Sequence, residues 1–178
     1  MKILFLDIDG VLNCKTTSQR HQGFIGIDPY MALLVDRICQ ATGAQIVLSS
    51  NWRLWEESRK EVKRFADFID VTPKLEGIRG DEIEAWLALH PEVETYAILD
   101  DDSDFHPHQP LFKTSWETGL TEEISKQVIG FLLSNPPQND RESKVPEINR
   151  DTEENGKLPL KKRTLQNTKT RARQDELS

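Results

Sequence analysis

The sequence contains only two cysteines, Cys14 and Cys39, among 178 residues. That number excludes a disulfide framework and is typical of proteins in a reducing compartment. A run of about 18 consecutive apolar residues, which a membrane-spanning helix needs, is also missing. Asp7 and Asp9 lie where a signal peptide would have its apolar core. We therefore expect a soluble, cytoplasmic protein with no membrane partner.

Aromatic residues are missing between Pro136 and Ser178, where aliphatic residues are few and periodicity is absent. We expect a disordered tail at 135–178 behind a folded domain at 1–134. The net charge of −7 is uneven, because residues 1–135 carry 13 Lys and Arg against 22 Asp and Glu. Seven Lys and Arg and no acid lie between Lys157 and Arg173. Such a run can bind nucleic acid, and a solvated linker is the alternative.

Apolar stretches alternate with amphipathic segments from the first residues onward, which predicts an α/β fold with a Rossmann-like parallel sheet. The first helix should follow the N-cap Asp28 and end at Gly43. We expect a second helix with Trp55 facing inward and a third that begins near Asp81, with Glu84 completing a capping box. A last helix should follow Thr121. The predicted strands are residues 3–6, 45–48, 68–71, 96–99 and 111–112.

Two carboxylates, Asp7 and Asp9, follow the first predicted strand directly, and Gly10 then breaks it. Ligands of open α/β sheets bind outside the carboxyl ends of the strands. Carboxylates this close repel one another unless a cation lies between them. The pattern indicates phosphoryl transfer, with Asp7 as the nucleophile and Asp9 as the acid and base.

Three further predicted strand ends and turns carry groups that suit this chemistry. Ser50 or its neighbour Ser49 offers a hydroxyl to a phosphoryl oxygen, and Arg79 offers a positive charge. Asp100 and Asp101 offer oxygen ligands to Mg²⁺. We also expect Ser49, Asn51 and Gly10 to contact the substrate.

These segments resemble the four motifs of the haloacid dehalogenase (HAD) superfamily over about residues 1–134. The first motif is met by Asp7-Ile8-Asp9-Gly10-Val11, the second by Ser49 or Ser50, the third by Arg79 and the fourth by Asp100-Asp101. The longer strings are similar to the subgroup found within multi-domain RNA-repair proteins: Val-Leu-Ser-Ser-Asn-Trp-Arg, Arg-Gly-Asp-Glu-Ile, Ile-Leu-Asp-Asp-Asp-Ser-Asp and Thr-Gly-Leu-Thr.

The resemblance implies a phosphatase that forms an aspartyl phosphate and binds Mg²⁺ through Asp7, the backbone carbonyl of Asp9, Asp100 and Asp101. An acid at Asp9 is similar to the phosphatases and argues against dehalogenase or ATPase activity. The intervals 13–27 and 72–78, where the family inserts cap domains, are too short for a domain. The resemblance therefore implies a capless enzyme with an open site.

Several assignments have alternatives. Ser49 or Ser50 could only cap a helix, and Lys74 could replace Arg79 in the third motif. His106 and His108 could bind a metal, but zinc would need further ligands nearby, so we expect them to be loop residues. Trp52 and Trp55 could stack on a base, although core packing is the expectation for at least one of them.

The sequence leaves the substrate open between a nucleic-acid end, a phosphoprotein and a small metabolite such as a nucleotide. Two other functions remain: a binding module for a phosphorylated ligand or nucleic acid without turnover, and phosphotransfer to an acceptor other than water. The intact set of Asp7, Asp9 and Asp100 favours the enzyme, because a binding module has little need of a nucleophile and an acid together.

Overall fold

The computed structural model describes residues 1–134, so the predicted tail and its basic run lie outside the described residues. Five strands form a single parallel sheet in the order β5-β4-β1-β6-β7. They are β1 (Lys2–Leu6), β4 (Gln45–Leu48), β5 (Phe68–Val71), β6 (Thr95–Asp100) and β7 (Leu111–Lys113). The predicted α/β, Rossmann-like architecture and the five predicted strands are confirmed, with small shifts at their ends.

Four helices flank the sheet: α1 (Pro29–Thr42), α2 (Glu56–Val62), α3 (Arg79–Ala88) and α4 (Glu122–Ser134). The predicted caps of α1 are confirmed, because Asp28 accepts from the Tyr30 N–H and Gly43 adopts φ 72°. Thr121 also accepts from the Ile124 N–H at the start of α4, as predicted. Among the described residues, no helix has both the length and the apolar character needed to cross a membrane.

The central strand β1 is buried on both faces, which explains its unbroken apolar sequence. Leu4 and Leu6 join a core with α1 and α4, whereas Ile3 and Phe5 join a second core with Ile83 and Trp86 of α3. Both faces of the sheet are therefore covered. Leu6 pairs with Leu48 of β4 and Leu99 of β6, so the residues that follow these three strands meet at one edge.

The helix that we predicted to begin near Asp81 starts two residues earlier, at Arg79, and the predicted capping box is wrong. The reason is a distant acceptor: Oδ2 of Asp104, in the loop after β6, accepts from the Arg79 N–H over 3.1 Å. Trp55 was predicted to face inward but is 59% exposed. It precedes α2 rather than lying in it.

A small hairpin of β2 (Arg20–His21) and β3 (Phe24–Ile25) was not predicted. Its two-residue turn contains Gln22 at φ 50° and Gly23 at φ 87°. Two consecutive residues with positive φ are typical of tight hairpin turns, and Gly at the second position suits them. The hairpin lies within the interval 13–27, and, as expected, this interval is too short for a cap domain.

Candidate active site

Asp7 leaves β1 at the centre of the sheet edge and is buried, with 5% of its surface exposed. Its backbone N–H donates to the Leu99 carbonyl over 3.0 Å, which continues the β1–β6 ladder by one residue. Burial raises the pKa of Asp7 above its usual range, whereas the Arg79 guanidinium and the Ser50 hydroxyl lower it. The site therefore holds a desolvated carboxylate that depends on neighbouring positive charge.

Ser50 contributes its side chain in two ways. Its hydroxyl oxygen accepts from the Trp52 N–H over 3.3 Å and caps a short 3₁₀ helix (Asn51–Leu54), and the hydroxyl lies close enough to Asp7 to lower the pKa of that carboxyl. Ser49 is buried as well, but its Oγ has no hydrogen-bond partner among the described residues. The capping alternative is thus realised at Ser50, on the same side chain that contacts Asp7. Asn51 is exposed beside it.

Asp9 lies on the exposed side of the site and is held by two donors. The Asn13 amide donates to Oδ1 over 2.9 Å, and the Trp52 indole N–H donates to Oδ2 over 2.9 Å. Each carboxylate oxygen thus accepts one hydrogen bond, which fixes the plane of the group. The sequence analysis named Asp9 but not these two partners. The Asp9 carboxylate thus pairs with Asn13 and Trp52, whereas the Asp7 carboxylate pairs with Arg79.

Gly10 adopts φ 72°, and a Cβ at this position would lie 2.2 Å from Cγ of Asp101. Its N–H donates to Oδ1 of Asn13 over 3.1 Å, and its carbonyl accepts from the Thr114 hydroxyl over 2.7 Å. A side chain would therefore be strained and would also displace Asp101. Gly10 lets the first and fourth motifs approach each other.

Asp7, Asp100 and Asp101 each have a carboxylate oxygen within 4.8 Å of the others. Burial and the charge of Asp7 raise the pKa of Asp100 to about 7, although Arg79 acts against this rise. The same two causes raise the pKa of Asp101. Carboxylates that raise one another's pKa form an oxygen donor set that suits a hard divalent cation such as Mg²⁺. The side chain of Asp9 is not part of this group.

Arg79, the first residue of α3, reaches back to the strand ends. One of its guanidinium nitrogens lies 2.5 Å from Oδ2 of Asp100 and 3.1 Å from Oδ2 of Asp7. Burial works against the charge, but the two carboxylates outweigh it and raise the pKa of the guanidinium. Lys74, the alternative for the third motif, instead lies 3.3 Å from Glu82. Arg79 is the basic side chain that the structure brings to Asp7.

Arg53 holds the backbone around the site in place. The sequence analysis did not identify it as a site residue. It is buried and donates to the carbonyls of Ser49 and Ser50 over 2.6 and 2.8 Å. Two further carbonyls, those of Thr72 and Pro73, accept from it, and it pairs with Glu82 at 2.6 Å. One guanidinium thus fixes the backbone after β4 and β5 to α3. The sequence Ser-Asn-Trp-Arg gave no signal for this burial beyond a polar loop.

His106 and His108, in the loop between β6 and β7, contact carboxylates of α3. Nε2 of His106 lies 2.8 Å from Asp81, and Nε2 of His108 lies 3.0 Å from Glu84. Asp81, Glu84 and His106 are close enough to share an ion, although Asp81 and Glu84 are exposed or half-exposed. These contacts join the loop to α3. The two histidines remain loop residues with structural partners.

Comparison with known proteins agrees with the geometry. No curated protein and no solved structure matches the chain. A family model described as the HAD domain in Swiss Army Knife RNA repair proteins matches residues 3–124, which contain all the site residues described above. The wider HAD superfamily is largely one of phosphohydrolases, which generally use Mg²⁺. The chain belongs to the family of HAD domains found in Swiss Army Knife RNA repair proteins.

Proposed function

We propose that the protein is a Mg²⁺-dependent phosphomonoester hydrolase that works through an aspartyl phosphate on Asp7. The observation that carries the proposal is the placement of the Asp7 carboxylate among Ser50, Arg79 and Asp100 at the centre of the sheet edge. A nucleophile, a hydroxyl donor and a positive charge thus surround one point. That is the set that phosphoryl transfer needs.

In the first step, an oxygen of Asp7 attacks phosphorus and the ester P–O bond breaks. Asp9 donates its proton to the leaving alkoxide oxygen, so the leaving group departs as an alcohol. Trp52 and Asn13 hold Asp9 in place for this transfer. Ser50 and Arg79 bind the phosphoryl oxygens and offset their negative charge.

In the second step, Asp9 takes a proton from a water molecule, whose oxygen attacks the phosphorus of the aspartyl phosphate. The bond between Asp7 and phosphorus breaks, and inorganic phosphate and the free carboxylate result. Mg²⁺, held by Asp7, Asp100, Asp101 and the Asp9 carbonyl, would supply positive charge that makes the phosphate accessible to an anionic nucleophile.

The substrate class has support from the family, whose description refers to RNA repair. We propose a phosphorylated nucleic-acid end or nucleotide as the substrate, in place of a phosphoprotein. The basic run between Lys157 and Arg173, which lies outside the described residues, stays a proposed nucleic-acid contact. If it acts so, the binding of RNA should weaken steeply with salt and disappear on truncation after Asn135.

The test is phosphate release with Mg²⁺ from p-nitrophenyl phosphate, nucleotides and end-phosphorylated RNA and DNA. Asp7→Asn should abolish turnover, whereas the matched control Asp67→Asn, an exposed acid after α2, should not. Phosphate label trapped on the protein by acid and released by hydroxylamine would identify the acyl phosphate. Turnover that persists in Asp7→Asn would contradict the mechanism, and no turnover by a folded protein would favour the non-catalytic binding module.

A further inference from the structure

A pocket of about 950 Å³ opens beside Asp9, between the β2–β3 hairpin and the start of α2. Its volume lies within the range of small-molecule sites, roughly 300–1,000 Å³. Asp9 itself is part of the lining, so the pocket continues from the proposed acid and base of the reaction. We call this space the aromatic pocket, because Phe24, Trp52, Trp55 and Trp116 form much of its wall.

Three of these four rings are exposed to water. Phe24 is 76% exposed, Trp55 59% and Trp116 41%, and they come from three separate segments of the chain. Large apolar rings gathered at one place on a surface mark binding sites more often than isolated ones do. A flat ligand that lies against such rings covers apolar area and stacks on their faces.

The Trp55 side chain does not stabilise the helix that it precedes, α2. It occupies the N-cap position of α2 and makes no side-chain capping bond, whereas Ser, Thr, Asp or Asn is preferred there. Its side chain also does not pack into the core, as its exposure demonstrates. The helix therefore gives no reason for a Trp at this position, and the pocket does.

Trp52 connects the aromatic pocket to the chemistry. Its indole N–H donates to Asp9, and its ring stacks on His21 of the hairpin, with centroids 5.8 Å apart and planes at 30°. The pocket wall and the acid and base are thus one assembly. Since Asp9 would protonate the leaving oxygen, the part of the substrate beside this oxygen is the part that enters the pocket.

The polar groups of the pocket fit a base better than a further phosphate. None of its lining residues is Lys or Arg, while Glu56 and Glu57 line it and both pair with Lys60 at 2.9 Å. The Asn51 and Gln22 amides also line it. Side-chain amides offer a donor and an acceptor together, which matches the edge of a nucleobase.

We propose that the aromatic pocket binds the nucleobase of the nucleotide that carries the phosphate to be removed. The proposal rests on the phosphatase function proposed above and adds where the leaving group binds. The base would stack on Trp55 and its neighbours, the sugar oxygen would lie at Asp9, and the phosphate at Asp7. Both a free nucleotide and the end of a nucleic acid present this same chemistry.

The kinetic test uses the full chain with Mg²⁺ and compares nucleoside monophosphates with glycerol phosphate, which lacks an aromatic group. In Trp55→Ala, the ratio of kcat/KM for the nucleotide to that for glycerol phosphate should fall by about 5- to 150-fold, chiefly through KM. Trp55→Phe should restore most of the ratio. The control Leu89→Ala removes another exposed apolar side chain, one that lies outside the pocket, and should keep the wild-type ratio.

A binding test separates the pocket from the reaction. Nucleosides, which carry no phosphate, should bind wild type and Leu89→Ala saturably in calorimetry, and Trp55→Ala should bind them more weakly by a similar factor. Binding without turnover would support the pocket and overturn the phosphatase. No nucleoside binding, an unchanged ratio in Trp55→Ala, or a preference for phosphotyrosine would overturn the pocket assignment. The ratio between mononucleotides and end-phosphorylated oligonucleotides identifies the source of the base.

Discussion

The indole N–H of Trp52 donates to Oδ2 of Asp9 over 2.9 Å, so a largely buried ring orients the carboxylate that we propose as acid and base. The ring is held by the core on one side and by His21 on the other. Asp9 itself is exposed, and without this bond only the Asn13 amide would hold its carboxylate. Its orientation depends on a residue 43 positions away in the chain.

Trp52→Phe keeps an aromatic ring but removes the indole donor, so we expect kcat to fall by about 10-fold because Asp9 retains only one of its two orienting hydrogen bonds, the one from Asn13. The matched control is Trp86→Phe. The indole N–H of Trp86 also donates to a carboxylate, that of Asp70, over 2.7 Å, but Asp70 is not one of the site residues. The measurement is steady-state turnover of p-nitrophenyl phosphate. An equal loss in both variants would assign the effect to general destabilisation.

Gly10→Ala should weaken Mg²⁺ binding, because the new Cβ would lie 2.2 Å from the Asp101 carboxylate carbon and displace it. We expect the Mg²⁺ concentration for half-maximal activity to rise by about 10-fold or more. Gly43→Ala is the control, since Gly43 has the same φ of 72° and nothing within 4 Å. It should cost about 1–2 kcal/mol of stability and leave the Mg²⁺ requirement as it is.

Arg79→Met should lower kcat by at least about 100-fold, since it removes the positive charge that lies 3.1 Å from Asp7. Lys74→Met should retain activity within about 3-fold, because Lys74 contacts Glu82 and not the strand ends. Turnover of the two variants decides between the two candidates for the third motif. A large loss in Lys74→Met with a small one in Arg79→Met would reverse the assignment.

Glu82→Gln leaves the buried Arg53 without its charge partner and should lower the free energy of unfolding by about 3–5 kcal/mol. The pair is 2.6 Å apart and both side chains are almost fully buried. Lys60→Gln removes an exposed partner of Glu56 and Glu57 and should leave the free energy of unfolding almost unchanged. Urea denaturation measures both. Equal small losses would mean that Arg53 is held by backbone carbonyls alone.

The strands and the residues at their ends could be predicted from the sequence, because a parallel sheet buried on both faces produces unbroken apolar runs that stop at polar residues. Asp7, Ser50 and Asp100 were found in this way and lie together. The burial of Arg53 could not be predicted from such a pattern, because it depends on backbone carbonyls that follow β4 and β5. The first turn of α3 was misplaced because its acceptor, Asp104, lies 25 positions away.

The hairpin was missed for a different reason: strands of two residues are too short for an alternation of apolar and polar side chains. Its turn did carry a local signal, Gln22-Gly23, between two short segments. Trp55 was predicted to face inward as part of the apolar side of a helix, but that helix begins one residue later, at Glu56. Both wrong predictions concern residues that line the aromatic pocket, where side chains are exposed at the surface instead of packed in the core.

The hairpin lies between the first motif and α1, while the proposed chemistry comes from the ends of β1, β4 and β6 and from Arg79. Part of the pocket wall, from His21 to Ile25, thus lies on a piece of chain that carries none of the proposed reacting groups. Exchange of the six residues from Arg20 to Ile25, together with Trp55, would change which molecules are accepted without rebuilding the sheet edge. In evolutionary terms, this domain could acquire new substrates through changes in the hairpin and at Trp55 while its proposed reacting groups stay the same.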